Sequence, residues 1–371
     1  DLSGLANGLG TLTINGNLYC KTTGGPYYLK MAADIVGSGT FRAGTSKAIP
    51  LPYATKLDVC FTTNNRINST NLLVYFYCAE PTRKYVRLSA PAVIGQTVLP
   101  VDASVVGDNW SDGDTVGVAN INNARNVEQR TIAAGGIAAG SITVTAGLTA
   151  AKLQGSFIVL EKRNIKVYYT GAAPSSVISA KAGSEIYAEC KPGATGSINV
   201  SAGKIGGVCA NSTYGIGGGL GTLLDGVVQS NIHVPGMGNV APTINCMYAG
   251  CARFLYGFSN QYTWFYDCLA VGCTTVFEYG SCSAINCRFI GNTNLFSNAA
   301  MVTLKNCEVN GINFEFVNYP VASMNYVQSL DHNQVAGAFK SWTLGGTTVS
   351  QAVTVPPGYV QAMQTVLSSA S

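Results

Sequence analysis

Charge is scarce in this 371-residue chain: 22 Lys and Arg and 18 Asp and Glu make up 11% of it, against roughly a quarter in ordinary soluble domains. The net charge of +4 is spread along the chain with no Lys/Arg cluster, which argues against nucleic acid as a partner. No apolar run reaches the ~18 residues that a membrane-spanning helix needs, so no membrane partner is expected. Histidine is nearly missing, with only His233 and His332. Neither sits in a metal-ligand spacing, and a Ser-His-Asp triad would have to be built from one of the two. No catalytic residue, no cofactor site and no metal site is therefore assigned. Glycine, by contrast, is plentiful at 43 residues, and hydrophobic residues reach 47%. A chain of this make-up buries a large core and is not disordered in the main.

The most informative pattern is a repeat in the second half. Cys246, Cys268, Cys287 and Cys307 step by 22, 19 and 20 residues. The residue before each is Asn245, Asp267, Asn286 or Asn306. Two residues after each come Tyr248, Ala270, Phe289 and Val309, and four after come Gly250, Gly272, Gly291 and Gly311. Nine after come Leu255, Phe277, Phe296 and Phe316. A unit of about 20 residues is too short for a helical hairpin, and its local alternation has period two. It fits one coil of a parallel β-helix, whose coils stack ~4.8 Å apart. The cysteine, plus-two and plus-nine columns then face the interior. The Asn column is a turn, and the Gly column a bend that tolerates positive φ. The regular stack spans roughly 220 to 320, inside a β-helix expected over 161–345.

On this reading the repeat cysteines form a column of buried, unbridged thiols that behave as small apolar side chains. Zinc held by the C-x4-C pairs Cys246/Cys251, Cys268/Cys273 and Cys282/Cys287 is the rival, as are disulfides between coils. The pairs start at different columns, and parallel side chains in one ladder make awkward bridges.

Residues 1–160 show short alternating runs separated by Gly, Asn and Pro, such as Thr11-Leu12-Thr13-Ile14 and Leu72-Leu73-Val74-Tyr75-Phe76. They read as an irregular β-rich region. Asp112-Gly113-Asp114 reads as a β-turn, since the full spacing of a calcium loop is missing. After Pro356-Pro357-Gly358, the segment 346–371 ends with Val360, Met363 and Val366 at helical spacing. A short C-terminal helix that caps the coils or docks on a partner is expected there. The fold class is thus all-β, a right-handed parallel β-helix between this N-terminal region and that tail, the handedness following the general crossover bias.

The order of motifs is familiar. Gly10-Thr11-Leu12-Thr13-Ile14-Asn15-Gly16-Asn17-Leu18 is followed by Gly37-Ser38-Gly39-Thr40-Phe41-Arg42-Ala43-Gly44-Thr45. Trp110-Ser111-Asp112-Gly113-Asp114-Thr115-Val116 and Leu160-Glu161-Lys162-Arg163-Asn164-Ile165 come later. This order resembles the eight-glycine domain and following β-helix of certain large ectoproteins. It is more similar still to shorter β-helix proteins of tailed bacteriophages, which are virion structural components. The resemblance implies a non-catalytic structural part of a phage virion: capsid decoration, fibre or tail-associated protein. It implies a location in the virion, assembled in the host cytoplasm. The low charge adds an expectation of contacts with its own copies, as a homo-oligomer, or with capsid or tail proteins, and a cell-surface glycan is a further possible partner.

The alternative is a tailspike-like β-helix that cleaves or binds polysaccharide. Cleavage needs two carboxylates ~5–9.5 Å apart across a sugar groove. The repeat offers Asp267, Glu278, Glu308 and Glu315. Asp267 sits in the Asn column and Glu308 points outward beside Cys307. Glu278 and Glu315 share an outward face, two coils apart.

Overall fold

The computed structural model describes residues 8–355 apart from 63, 122–126, 171–175, 192–196, 201–202, 213–214, 218–221, 234–241, 257–261, 279–280, 298–300, 306, 311–313, 317–333, 345–346 and 350–353. Among the described residues every regular element is a β-strand. The helix expected near the C-terminus lies outside them.

Most strands belong to one stack of parallel coils. A single ladder runs through it in unbroken register: Cys20, Ala43, Phe76, Ile186, Ile205, Leu224, Thr243, Phe265, Ala284 and Leu304. A second ladder, Leu12–Ile35–Ile67–Ile178–Ile198, lines another wall of the first coils. The expected plus-nine column is a third, Leu255–Phe277–Phe296. Alternation turns every second side chain inward, which is why Ile35, Phe76, Ile186, Tyr248, Phe277 and Phe289 are buried in one continuous core.

Parallel pairing is therefore present from Leu9, which bridges Met31, well before the start at 161 that the period suggested. The early coils are uneven in length. The loop 44–56 widens one of them, and a whole module is inserted into the next between Cys78 and Asn164. Buried Asn164 fastens this junction. Its side-chain amide donates to the carbonyls of Leu51, Pro52 and Thr55, and its Oδ1 accepts the Ala79 amide at 2.8 Å.

The inserted module is a small antiparallel barrel. Its strands run in the order Val98–Pro100, Ser141–Val144, Val127–Ala138, Thr115–Ala119, Phe157–Leu160, Tyr85–Arg87. A bridge between Leu88 and Val101 closes the circle. It has its own core, with Val86, Leu99, Trp110, Val116, Val118, Ile142, Ile158 and Leu160 buried. Its turn at Asp112-Gly113-Asp114 is as expected: Gly113 has φ 78° and the Asp114 amide donates to the Ser111 carbonyl at 3.0 Å.

Each later coil bends at two corners that need a left-handed backbone. One corner column is Gly207, Gly226, Asn245, Asp267 and Asn286; the other is Asn211, Asn231, Gly250, Gly272 and Gly291. All have φ between 51° and 93°. Glycine tolerates this region without cost, and Asn and Asp are the side chains that visit it most readily. The Asn column is thus a backbone device as well as a side-chain one. Asn231 also donates to Asn211 Oδ1 of the coil before it at 2.8 Å.

The repeat cysteines form one column. Cys268 lies within hydrogen-bonding contact of both Cys246 and Cys287, and Cys287 of Cys307. All twelve cysteines are free. Burial pushes the thiols of Cys268, Cys273 and Cys282 well above their ordinary pKa, whereas hydrogen bonds from Cys268 and Cys307 pull that of Cys287 down to about 4. What shields the column is its burial, each of the four repeat cysteines being at most 2% exposed. Alkylating reagent is expected to leave these four repeat thiols untouched in the folded protein and to label all four after denaturation without reductant. Mass measurement showing them linked in pairs would reverse this assignment.

Candidate functional site: a groove between barrel and solenoid

Between the two corners of each coil lies a strand of three residues, such as Met247–Ala249 and Leu269–Val271. Its middle residue faces the core. Its outer two would face solvent, yet Val208, Val228, Met247, Ala249, Leu269, Val271 and Ile290 are apolar and buried. Ala119, Phe157 and Val159 of the barrel cover them. Each such side chain contributes about 1.5–3 kcal/mol on full burial, so this contact seats the barrel firmly along the solenoid.

The fit is close at one corner. A Cβ at Gly250 would lie 2.0 Å from Val127 Cγ2, and one at Gly291 would lie 2.3 Å from the Ile121 carbonyl oxygen. At the other corner the barrel stands off and leaves a groove with a cavity of about 710 Å³. One wall is barrel: Arg83, Lys84, Tyr85, Arg87 and Asp102. The other is the Asn corner: Asn245, Asp267 and Asn286, with Arg288 beside it. Asn245, Asp267 and Asn286 are all exposed. The outward column Val228–Met247–Leu269 becomes Arg288 and then Glu308 in register. The groove emerges where this column changes from apolar to charged.

The basic side chains are held in place. Lys84 donates to the Gly226 carbonyl across the joint at 2.9 Å. Arg83 pairs with Asp108 at 2.6 Å. The Arg87 guanidinium lies 5.1 Å from the centre of the Phe157 ring, and the Arg87 amide donates to Asp102 Oδ1 at 2.9 Å. On the outer face that runs into the Asn corner, Trp264 and Tyr266 lie with nearly parallel rings, 6.4 Å apart, and Trp264 is 41% exposed.

Such a set offers binding contacts of three kinds. Side-chain amides offer both donors and acceptors to hydroxyl groups. Guanidinium groups match carboxylates in fork geometry. Aromatic rings offer an apolar face with a polar edge. Asp102 and Asp267 are the carboxylates lining the groove, one on each wall.

Of the acidic residues singled out in the sequence, Asp267 is the one whose side chain is among the described residues, and it lines this groove. Glu278 ends the strand Thr275–Glu278 and Glu315 lies in Phe314–Phe316, both on strands away from the groove lining. Glu308 follows Arg288 in the ladder. The side chains of Glu278, Glu308 and Glu315 lie outside the described residues, as does His332. Sequence reading missed Arg87, Asp102 and Arg288. They come from distant segments, and only the packing of the barrel on the solenoid brings them together.

No protein-family model and no curated protein matches the chain. Several solved structures are similar to it, three tailspikes among them. They are the Pseudomonas phage phi297 tailspike gp61 (11% identity, TM-score 0.25, covering 84% of this chain and 60% of that one), the Gp54 tailspike of Acinetobacter baumannii bacteriophage AP22 in complex with A. baumannii capsular saccharide (9%, 0.24, 85% and 58%), and the tailspike protein gp49 from Pseudomonas phage LKA1 (11%, 0.20, 90% and 60%). The chain spans about three fifths of the length of each.

Proposed function

We propose that the chain is a non-catalytic structural component of a tailed-phage particle, a right-handed parallel β-helix whose inserted barrel and Asn corner form a receptor groove for an acidic surface glycan. The groove carries this reading. Its guanidinium and ammonium groups outnumber its carboxylates, its corner sets the amides of Asn245 and Asn286 on either side of Asp267, and an aromatic pair flanks it. The motif order in the sequence supports the particle, and low charge supports contacts with copies of itself or with tail or capsid proteins.

The test is binding to capsular polysaccharides of known uronic acid content, with neutral dextran as control. Arg288→Ala and Trp264→Ala are each expected to weaken binding by about tenfold or more, which corresponds to about 1.4 kcal/mol, without release of oligosaccharide. Unchanged affinity in both variants would sink the groove. One observation favours the enzymatic alternative, the placement of Asp102 and Asp267 on opposite walls. Oligosaccharide release that disappears in Asp267→Asn or Asp102→Asn would establish it.

A further inference from the structure

The two ends of the solenoid differ. At the C-terminal end, Gln334–Leu344 pairs in parallel with Glu308–Asn310 and is then met by two antiparallel strands, Thr347–Val349 and Thr354–Val355. At the N-terminal end, strand Asn17–Cys20 is bonded on one side to Thr40–Ala43, and among the described residues no strand pairs with its other side. Three of its four residues, Asn17, Leu18 and Tyr19, are exposed, Tyr19 at 60%, and Cys20 is half-buried against the core. Leu18 shares the inward column of Phe41, and Tyr27 and Leu29 share those of Leu57 and Val59. These side chains surround an apolar opening of about 220 Å³ with Phe41 and Leu57 also in its lining. Leu9 bridges Met31 beside this opening, and among the described residues nothing further covers it.

We propose that this end is a docking site for an extended strand donated by a different protein, apolar at alternate positions and acidic at its ends. The free edge supplies backbone hydrogen bonds, and the opening takes an inward side chain of the added strand. Charge selects the partner. Lys21 follows the edge strand directly, Lys56 precedes Leu57, and both are exposed, while the lining of the opening holds no carboxylate. A second copy joined head to head would set these lysines against each other. Joined head to tail, it would present antiparallel strands where a parallel coil is needed. The inference stands apart from the glycan groove and does not depend on it.

Amide hydrogen exchange at Asn17–Cys20 tests it. The probes are a short synthetic peptide of alternating Leu or Val and Thr with aspartates at both ends, and the same peptide ended by lysines. The aspartate peptide is expected to protect these amides and to bind about tenfold or more tighter than the lysine peptide. Leu18→Glu and, separately, Tyr19→Ser are expected to remove the protection, whereas Leu153→Ser on the exposed barrel surface keeps it. Equal protection by both peptides, or protection that survives both edge variants, overturns the proposal. So do edge amides that are already protected in the free monomer, where the chain's own first residues cover the edge, or only in a dimer, where a second copy does.

Discussion

Between pH 5 and pH 8 the protein is expected to lose stability as the pH rises, by about 3 kcal/mol through Glu161. Glu161 directly follows the last barrel strand and is almost wholly buried at the joint with the solenoid. Burial pushes its carboxyl up to about 7, against hydrogen bonds from the solenoid and the barrel that favour the ionised form, and Glu189 nearby adds to the rise. Gln129 of the barrel donates to Oε2 at 2.9 Å and Asn211 of the solenoid corner at 3.2 Å. Oε1 lies beside the Ser230 hydroxyl, which also favours the ionised form. A Cβ at Gly117 would meet Glu161 Oε1 at 2.2 Å and Ser230 Oγ at 2.7 Å, so any side chain there displaces this pair.

Burial outweighs the hydrogen bonds to Glu161 and favours the protonated carboxyl. The folded state then binds that proton more tightly than the unfolded state, so its stabilising effect is fully present below the unfolded pKa near 4.5 and is lost as pH rises through about 7. Glu189, also raised by burial, acts in the same direction. Glu128 is depressed to about 2, and its contribution is lost only in stronger acid, below the window. Urea unfolding across pH 5–8 should show a falling free energy for the native protein and a much flatter line for Glu161→Gln, with the variant equal or superior at pH 8. A Glu161→Gln protein that keeps the full slope would place the titration elsewhere.

The sequence made the later coils legible because nothing interrupts them. Cys246, Cys268, Cys287 and Cys307 recur at nearly constant spacing, so the thiol column, the inward Tyr248 and Phe289, and the bends at Gly250, Gly272 and Gly291 could all be read from one period. Asn211 and Asn231 hold the same bend without glycine and escaped the pattern, although Asn tolerates the same backbone region. Leu12, Ile35 and Ile67 belong to an equally regular ladder, but 23 and then 32 residues separate them, and the barrel removes the next rung to Ile178. A reading that depends on period cannot follow a stack whose loops vary in length. The same limit hid the groove. Asp267 and Asn286 were visible as corner residues, whereas their facing Arg87 and Asp102 are set by the closure of a barrel through Leu88 and Val101, a contact no local pattern encodes.

That barrel holds a buried ion cluster, and its removal is expected to have the other large effect. Lys152 is fully buried, and its Nζ meets Glu128 Oε1 at 3.1 Å. Arg130 pairs with the other carboxylate oxygen, and the Thr149 and Ala150 amides donate to the same group at 2.6 and 2.9 Å. Thus Glu128, from the strand Val127–Ala138, pins the segment 147–152 that closes the barrel next to Ala92. Changing Glu128 to Gln leaves a buried ammonium facing an amide, and stability is expected to fall by about 3–5 kcal/mol. Adding Lys152→Met removes the stranded charge and fills its space with an unbranched apolar chain. The double variant should therefore regain a large part of that loss, because the cost arises from the unpaired charge more than from the missing attraction. The damage should stay local: hydrogen exchange is expected to accelerate across Val98–Pro100 and Ser141–Val144 while the ladder from Phe76 to Ala284 stays protected. Glycan affinity should fall with it, since Arg87 and Asp102 form one wall of the groove only while the barrel is closed. A double variant no more stable than Glu128→Gln alone would show that Glu128 acts by anchoring the 147–152 backbone, with Lys152 a bystander.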